Sequence, residues 1–383
     1  MNVKKFLLII SFLMSLNLFS LKVFSQDPDF YVFLCFGQSN MEGQGTIEPQ
    51  DKQVDSRFKV MEAINCSNLS RTKGNWYTAV PPLTRCYTGL SPADYFGRTM
   101  VANLPANKKV GIINVSVAGC KIELYDKDNY QTYSATVESW MKNIINEYGG
   151  NPYGRLVELA QLAQKDGVIK GILLHQGESN TGDNQWTAKV KKVYDNLMAD
   201  LSLNPDSIPL LAGEVVNADQ GGICAGANTM IAKLPQVIPN SHVISSKGCT
   251  DATDNLHFNS AGYRELGKRY GEKMLSILGY VPDTSTLSKE TAEILNKYSL
   301  EQNYPNPVSK SANISFSIPD DTYVSLKVYN ILGVEVKELA GKAYTKGKHN
   351  VMFETNNISE GLYFYTLKTN KYSISRKMII RNK

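Results

Sequence analysis

The chain has 383 residues, 42% of them hydrophobic and 20% charged. That balance excludes a disordered, collagen-like or multi-span membrane chain. The formal charge of +5 sits at the two ends: residues 1–25 carry Lys4, Lys5 and Lys22 with no acid, residues 303–383 hold 12 Lys/Arg against 6 Asp/Glu, and residues 26–302 hold 26 basic against 30 acidic residues. A mildly acidic body has the wrong sign for a nucleic-acid binder.

In chain order, Lys4 and Lys5 precede an apolar run from Phe6 to Phe19, and Val23-Phe24-Ser25 places small side chains before Gln26. This is the pattern of a secretory signal over residues 1–25. The apolar run is shorter than the ~20 residues of a membrane span, so no transmembrane segment is expected in the mature chain, which is expected to start at Gln26 and work outside the cytoplasm.

From 30 to 280, apolar β-branched runs alternate with helical patterns. Tyr31–Phe36, Lys109–Val117, Val168–His175, Ile208–Val216 and His242–Ser246 read as strands buried on both faces. Pro152–Lys165, Trp186–Leu201, Ala225–Leu234 and Ser260–Leu278 read as helices, the last with Ser260 as N-cap. The alternation predicts a parallel sheet with helices on both faces, its site at the carboxyl ends of the strands. The segment 50–98 is polar and predicts loops around the mouth of that site. Cys66 with Cys86, and Cys224 with Cys249, lie in Gly/Ser/Asn-rich stretches and suit local disulfides, whereas Cys35 and Cys120 read as buried thiols. With no CxxC or close His/Cys cluster, no metal site and no cofactor are expected.

Residues 281–302 read as a polar linker with a short helical pattern at Lys289–Lys297. Beyond it, Ala312–Ile318, Val324–Asn330, His349–Glu354, Leu362–Thr369 and Tyr372–Ile380 alternate as short strands between Asp/Gly-marked turns. This predicts a small antiparallel β-sandwich over 303–383, without a nucleophile–base pair.

The motifs that carry chemistry fall at strand ends. Phe36-Gly37-Gln38-Ser39-Asn40-Met41-Glu42-Gly43 follows the first strand, and Gly37 permits a turn that would present Ser39 at the sheet edge. It is not a G-x-S-x-G elbow, because Met41 stands in place of the second glycine. Asp254-Asn255-Leu256-His257 puts a carboxylate three residues before an imidazole, a spacing that lets the acid hold Nδ1 and leaves Nε2 free to take a serine proton. Leu174-His175-Gln176-Gly177-Glu178-Ser179-Asn180 ends another buried strand.

Together GQSNMEG, HQGESN and DNLHFNSAGY resemble the SGNH/GDSL-type hydrolases over residues 28–280. More closely they are similar to the sialate-O-acetylesterase-like branch, which includes the acetyl xylan esterases of carbohydrate esterase family 6. The resemblance implies a three-layer α/β/α fold with a flavodoxin-like parallel sheet and hydrolysis of sugar acetyl esters, without metal. It implies Ser39 as nucleophile, His257 as general base and Asp254 as the acid that orients it, with Glu178 sharing or taking that role. It implies an oxyanion hole from the backbone N–H groups of Ser39 and Gly119 with the side chain of Gln176. Here the chain reads Ala118-Gly119-Cys120-Lys121-Ile122, where the family usually has two glycines followed by Thr-Ser.

Leu300-Glu301-Gln302-Asn303-Tyr304-Pro305-Asn306-Pro307, Val328-Tyr329-Asn330-Ile331-Leu332-Gly333 and Gly361-Leu362-Tyr363-Phe364-Tyr365 resemble the C-terminal sorting domain of type IX secretion substrates of the Bacteroidetes. That implies the secretion machinery as partner and passage through the periplasm to secretion or the cell surface. A carbohydrate-binding module is the alternative for this unit.

The expectation is therefore a signal (1–25), an esterase domain (26–280), a linker (281–302) and a sorting domain (303–383). The substrate expected is acetylated xylan or related plant polysaccharide, with O-acetylated sialic acid as the alternative. The competing class is a non-hydrolytic carbohydrate-binding protein on the same fold. Trp76, Tyr77, Tyr87 and Tyr125 are candidates to line a sugar site.

Overall fold

A computed structural model describes residues 26–280, 298–330, 334–356, 358–369 and 373–381. The expected signal (1–25) and most of the linker, with its helical pattern, lie outside these. The chain divides into two compact units, 1–282 and 283–383.

The first unit is built on β1 (Asp27–Gly37), followed by the helical turn α1 (Ser39–Glu42), β2 (Phe58–Met61), β3 (Trp76–Thr78), α2 (Pro92–Asn103) and β4 (Lys109–Ser116). There follow α3 (Tyr130–Thr136), α4 (Ser139–Glu147), α5 (Pro152–Ala163), β5 (Gly167–His175), α6 (Trp186–Asp200) and β6 (Leu210–Gly213). The unit closes with α7 (Ala227–Ile231), α8 (Leu234–Val237), β7 (Ser241–Ile244) and α9 (Ser260–Ile277). The sheet order is β3-β2-β4-β1-β5-β6-β7, parallel except for the edge pair β2–β3. Without that edge pair the parallel strands run second-first-third-fourth-fifth, the flavodoxin-like order. The connections leave β1 in opposite directions, toward β4 and toward β5, and this opens a crevice at the carboxyl edge.

The alternating faces of β1 explain the layers. Phe30, Val32, Leu34 and Phe36 pack into one core with Met141, Leu156, Val190 and Ile231 of α4–α7. Tyr31, Phe33 and Cys35 pack into the other with Phe96 of α2 and Leu266 and Tyr270 of α9. Burying each large apolar side chain contributes about 1.5–3 kcal/mol, so β1 is fixed from both sides.

Three sequence expectations are corrected. The segment 50–98 is not only loop: Phe58–Met61 and Trp76–Thr78 extend the sheet, and Pro92–Asn103 is a helix opened by a Ser91/Asp94 capping box. The helix cap before α9 is Asn259, whose side chain accepts from the Gly262 N–H, rather than Ser260. Cys66 and Cys86 form a disulfide, but Cys224 and Cys249 are free thiols. The last two pack against different cores, Cys224 on the α4–α7 side and Cys249 on the α2/α9 side.

In the second unit, β8 (Ser299–Leu300), β9 (Ser311–Ile318), β10 (Thr322–Asn330), β11 (Glu335–Tyr344), β12 (Gly347–Glu354), β13 (Gly361–Lys368) and β14 (Ser373–Ile380) form two antiparallel sheets. Their orders are β11-β10-β13-β14 and β12-β9-β8, around a core that includes Phe316, Leu326, Tyr365 and Met378. Strand β11, unforeseen from sequence, is an exposed edge with charge-rich alternation, as edge strands require.

Thiol titration of the denatured, unreduced protein is expected to count four thiols; a count of two would mean that Cys224 and Cys249 are bonded. Removing the Cys66–Cys86 bond, which closes a separation of 20 residues, is expected to cost about 3 kcal/mol in thermal unfolding.

Candidate active site

The carboxyl edge gathers four segments. β1 ends at Gly37, whose φ of +154° and close approach to β5 demand glycine: a Cβ there would lie 2.0 Å from the His175 carbonyl oxygen. The chain then turns into α1 with Ser39 as its first residue, and the Gln38 N–H donates to the His175 carbonyl at 3.1 Å. β5 delivers Gln176 and Glu178, β4 leads into Ala118-Gly119-Cys120, and the loop before α9 brings Asp254 and His257.

Ser39 Oγ lies 2.8 Å from His257 Nε2, and His257 Nδ1 lies 2.7 Å from Asp254 Oδ2. The carboxylate only accepts, so Nδ1 carries the hydrogen and Nε2 accepts from the serine hydroxyl. Asp254 Oδ1 also accepts the backbone N–H groups of Leu256 and His257, both at 3.0 Å. Partial burial opposes ionisation of Asp254, but these N–H groups and the imidazole outweigh it and bring its pKa down to about 2.

Asn40, the residue after Ser39, brackets His257. Its Nδ2 donates to the Leu256 carbonyl at 3.1 Å, and its Oδ1 accepts the Phe258 N–H at 3.3 Å and the Tyr263 hydroxyl at 2.7 Å. The second Nδ2 hydrogen goes to Glu178 Oε1 at 2.6 Å. Glu178 thus meets Asn40, and the ring nitrogens of His257 meet Asp254 and Ser39. Burial raises the Glu178 pKa, and its Oε2 has no partner among the described residues. His175 is buried with no hydrogen bond to either ring nitrogen, its Nε2 3.7 Å from Glu178 Oε1, and burial lowers its pKa to about 3, so it is neutral.

Ser39 and Gly119 line a cavity of about 340 Å³ with His257, Gln38 and Trp140. Among the described residues, the Ser39 and Gly119 backbone N–H groups have no hydrogen-bond acceptor. Gly119 has φ +70°, and a Cβ there would lie 2.7 Å from the Trp140 ring. Gln176 is not brought to this cavity. Its Oε1 accepts the Trp186 indole N–H, and its Nε2 faces Gln38 Oε1, Cys120 O and Asn180 Oδ1 at 3.2, 3.3 and 2.8 Å. The indole can only donate, so this orientation is forced. Gln38 Oε1 also accepts the Ser179 N–H at 3.2 Å, and Gln38 Nε2 has no acceptor among the described residues.

Of the aromatic candidates, Tyr125 is fully buried and its hydroxyl donates to the Gly37 and Val115 carbonyls at 2.8 and 2.9 Å. Trp76 packs on Phe30 and donates to Asp166, at the opposite edge of the sheet. Tyr77 is outside both cavities near Ser39, whereas Tyr87 lines the second of them. Sequence reasoning missed Asn40, which had a motif but no assigned partner, and Trp140, which had no motif at all. Among the described residues, no three His, Cys, Asp or Glu side chains converge as metal ligands, and no helix is long and apolar enough to cross a membrane.

The family model described as carbohydrate esterase, sialic acid-specific acetylesterase, matches residues 29–276. That of the secretion system C-terminal sorting domain matches residues 302–381 and marks the chain for secretion or the cell surface. Among solved structures, a protein from Arabidopsis thaliana is similar at 21% identity, over 65% of this chain and 99% of that one, with a TM-score of 0.51; it shares the α/β fold. NanS is similar at 16% identity, over 67% of this chain and 99% of that one, with a TM-score of 0.49. A family two carbohydrate esterase from Clostridium thermocellum is similar at 11% identity, over 67% and 66%, with a TM-score of 0.33.

Asn40→Ala is expected to slow reaction of Ser39 with a fluorophosphonate probe by about 10²-fold, the cost of misplacing a catalytic group by about 1 Å. The probe rate and the melting temperature are read together: a slowed reaction in an undisturbed fold marks positioning of the serine–histidine pair.

Proposed function

The chain belongs to the sialic acid-specific acetylesterase family of carbohydrate esterases, and from that membership we propose a serine-dependent, metal-independent hydrolysis of O-acetyl esters on carbohydrate. The observation that carries the proposal is the unbroken line of hydrogen bonds from Ser39 through His257 to Asp254, at 2.8 and 2.7 Å. Ser39 Oγ attacks the acetyl carbonyl while its proton passes to His257 Nε2. The resulting oxyanion is held by the backbone N–H groups of Ser39 and Gly119, with Gln38 Nε2 in place of Gln176 as the side-chain donor. The imidazolium, stabilised by ionised Asp254, protonates the departing sugar oxygen. Water then attacks the acetyl-enzyme with His257 as base, releasing acetate and restoring Ser39. The substrate proposed is acetylated xylan or a related plant polysaccharide. The sorting domain supports delivery by the type IX machinery to a place where such polymers are met.

Ser39→Ala and His257→Ala are each expected to abolish nearly all turnover of p-nitrophenyl acetate, and the double variant little more, because residues acting as a unit lose activity non-additively. Multiplicative losses would refute a shared proton path. Activity should survive EDTA.

The two acids are expected to differ. Asp254→Asn should lower kcat by about 10²–10⁴, and Glu178→Gln should cost about ten- to a hundredfold less. If Glu178→Gln is the more damaging in folded protein, Glu178 is the partner acid.

A further inference from the structure

A second cavity of about 560 Å³ adjoins the one at Ser39, and Gln44, Ala118 and Trp140 line both. Its walls carry Tyr87 and Trp140, which are 88% and 52% exposed. Two large aromatic rings on one cavity offer broad, amphipathic faces on which a ligand can pack. Among the described residues, Arg85 is the only Lys or Arg lining either cavity, and its charge is already spent. Nε and Nη2 donate to Glu42 Oε1 at 3.2 and 3.0 Å, and Nη1 donates to Glu147 at 3.1 and 3.3 Å. Glu42 is held in turn by the Ala118 N–H at 3.1 Å and by Gln44 Nε2 at 3.2 Å. Two carboxylates therefore face one guanidinium, and no positive charge is left over for a ligand.

We infer that this cavity is a glycan subsite for uncharged sugar residues flanking the acetylated one, with Tyr87 and Trp140 as its stacking surfaces. The inference rests on the esterase reading above and narrows its substrate class. An aromatic face packs on the C–H side of a neutral pyranose, whereas the carboxylate of an acidic sugar would meet Glu42 in the wall and an Arg85 already paired to two carboxylates. Trp140 joins the two sites, because its ring lies against Gly119 in the acyl cavity and also forms a wall of the second one.

The test compares p-nitrophenyl acetate, acetylated xylo-oligosaccharide and an O-acetylated sialoside on the full chain. The wild type should show a kcat/KM at least tenfold higher on the neutral oligosaccharide than on the anionic sialoside. Tyr87→Ala should raise KM for the oligosaccharide about tenfold and leave p-nitrophenyl acetate turnover within twofold. Glu147→Gln, which releases Arg85 Nη1 in the cavity wall, should improve kcat/KM on the sialoside by about fivefold, the effect of one unit charge at close range in water, and leave the neutral substrate unchanged. A preference for the sialoside, or a Tyr87→Ala variant with unaltered KM for the oligosaccharide, overturns the subsite while the esterase reading stands. Failure of the esterase reading is separate: it appears as p-nitrophenyl acetate turnover that survives Ser39→Ala.

Discussion

The Ser39–His257 hydrogen bond joins residues 218 positions apart, and the carboxamide of Asn40 holds the chain on both sides of that gap. Asn40 follows Ser39 directly, while its oxygen and nitrogen grip Phe258 and Leu256, the two neighbours of His257. Asn40 is fully buried, so water cannot replace a bond it loses, and each group left unpaired would cost about 1–3 kcal/mol. A single hydrogen bond at a partly open site nets only about 0.5–1.5 kcal/mol. The buried clamp, more than the serine–histidine bond itself, therefore sets the distance between the two side chains. Tyr263 ties the clamp to α9 and Glu178 ties it to β5.

This arrangement separates the work of the two acids by solvation. Asp254 has two backbone N–H groups and an imidazole N–H to stabilise its charge, and its pKa is about 2. A group ionised across the neutral range is suited to stabilise an imidazolium. Glu178 is buried, and burial outweighs its hydrogen bonds from the Asn40 amide and its own backbone N–H and pushes it toward its protonated form. The same burial keeps the adjacent His175 neutral, so the interior beneath the site holds no imidazolium to draw the charge of Glu178. A carboxyl in that setting serves the geometry of Asn40 better than the charge of His257.

The strands were legible because burial on both faces leaves continuous apolar runs. β1 and β5 begin four and one residues before the expected segments, β4 begins where expected at Lys109, and β6 is shorter than expected at both ends. What escaped has a physical reason in each case. β2 and β3 are short strands of four and three residues at one end of the sheet, too brief to show a period. β11 alternates charge with small residues, and Cys224 and Cys249 have compatible loops but pack into different cores. Gln176 sits in a motif that resemblance placed at the oxyanion, yet the Trp186 indole turns its amide inward. No one-dimensional pattern encodes that contact.

Legibility thus follows chemistry more closely than it follows recognition. Ser39, Gly119, Gln176 and Glu178 lie within three residues of strand ends, because a parallel sheet delivers rigid, precisely aimed side chains only at its carboxyl edge. That constraint writes itself into sequence as a strand followed by polar residues. Tyr87 lies in an insertion and Trp140 on the amphipathic helix α4, where an exposed aromatic looks the same whether it serves a ligand or nothing. Their meaning comes from Arg85, whose ion pairs with Glu42 and Glu147 remove positive charge from the space the rings enclose. Under the proposed reading the sheet sets the acyl chemistry, and the loop of Tyr87 and the helix of Trp140 set the choice of sugar.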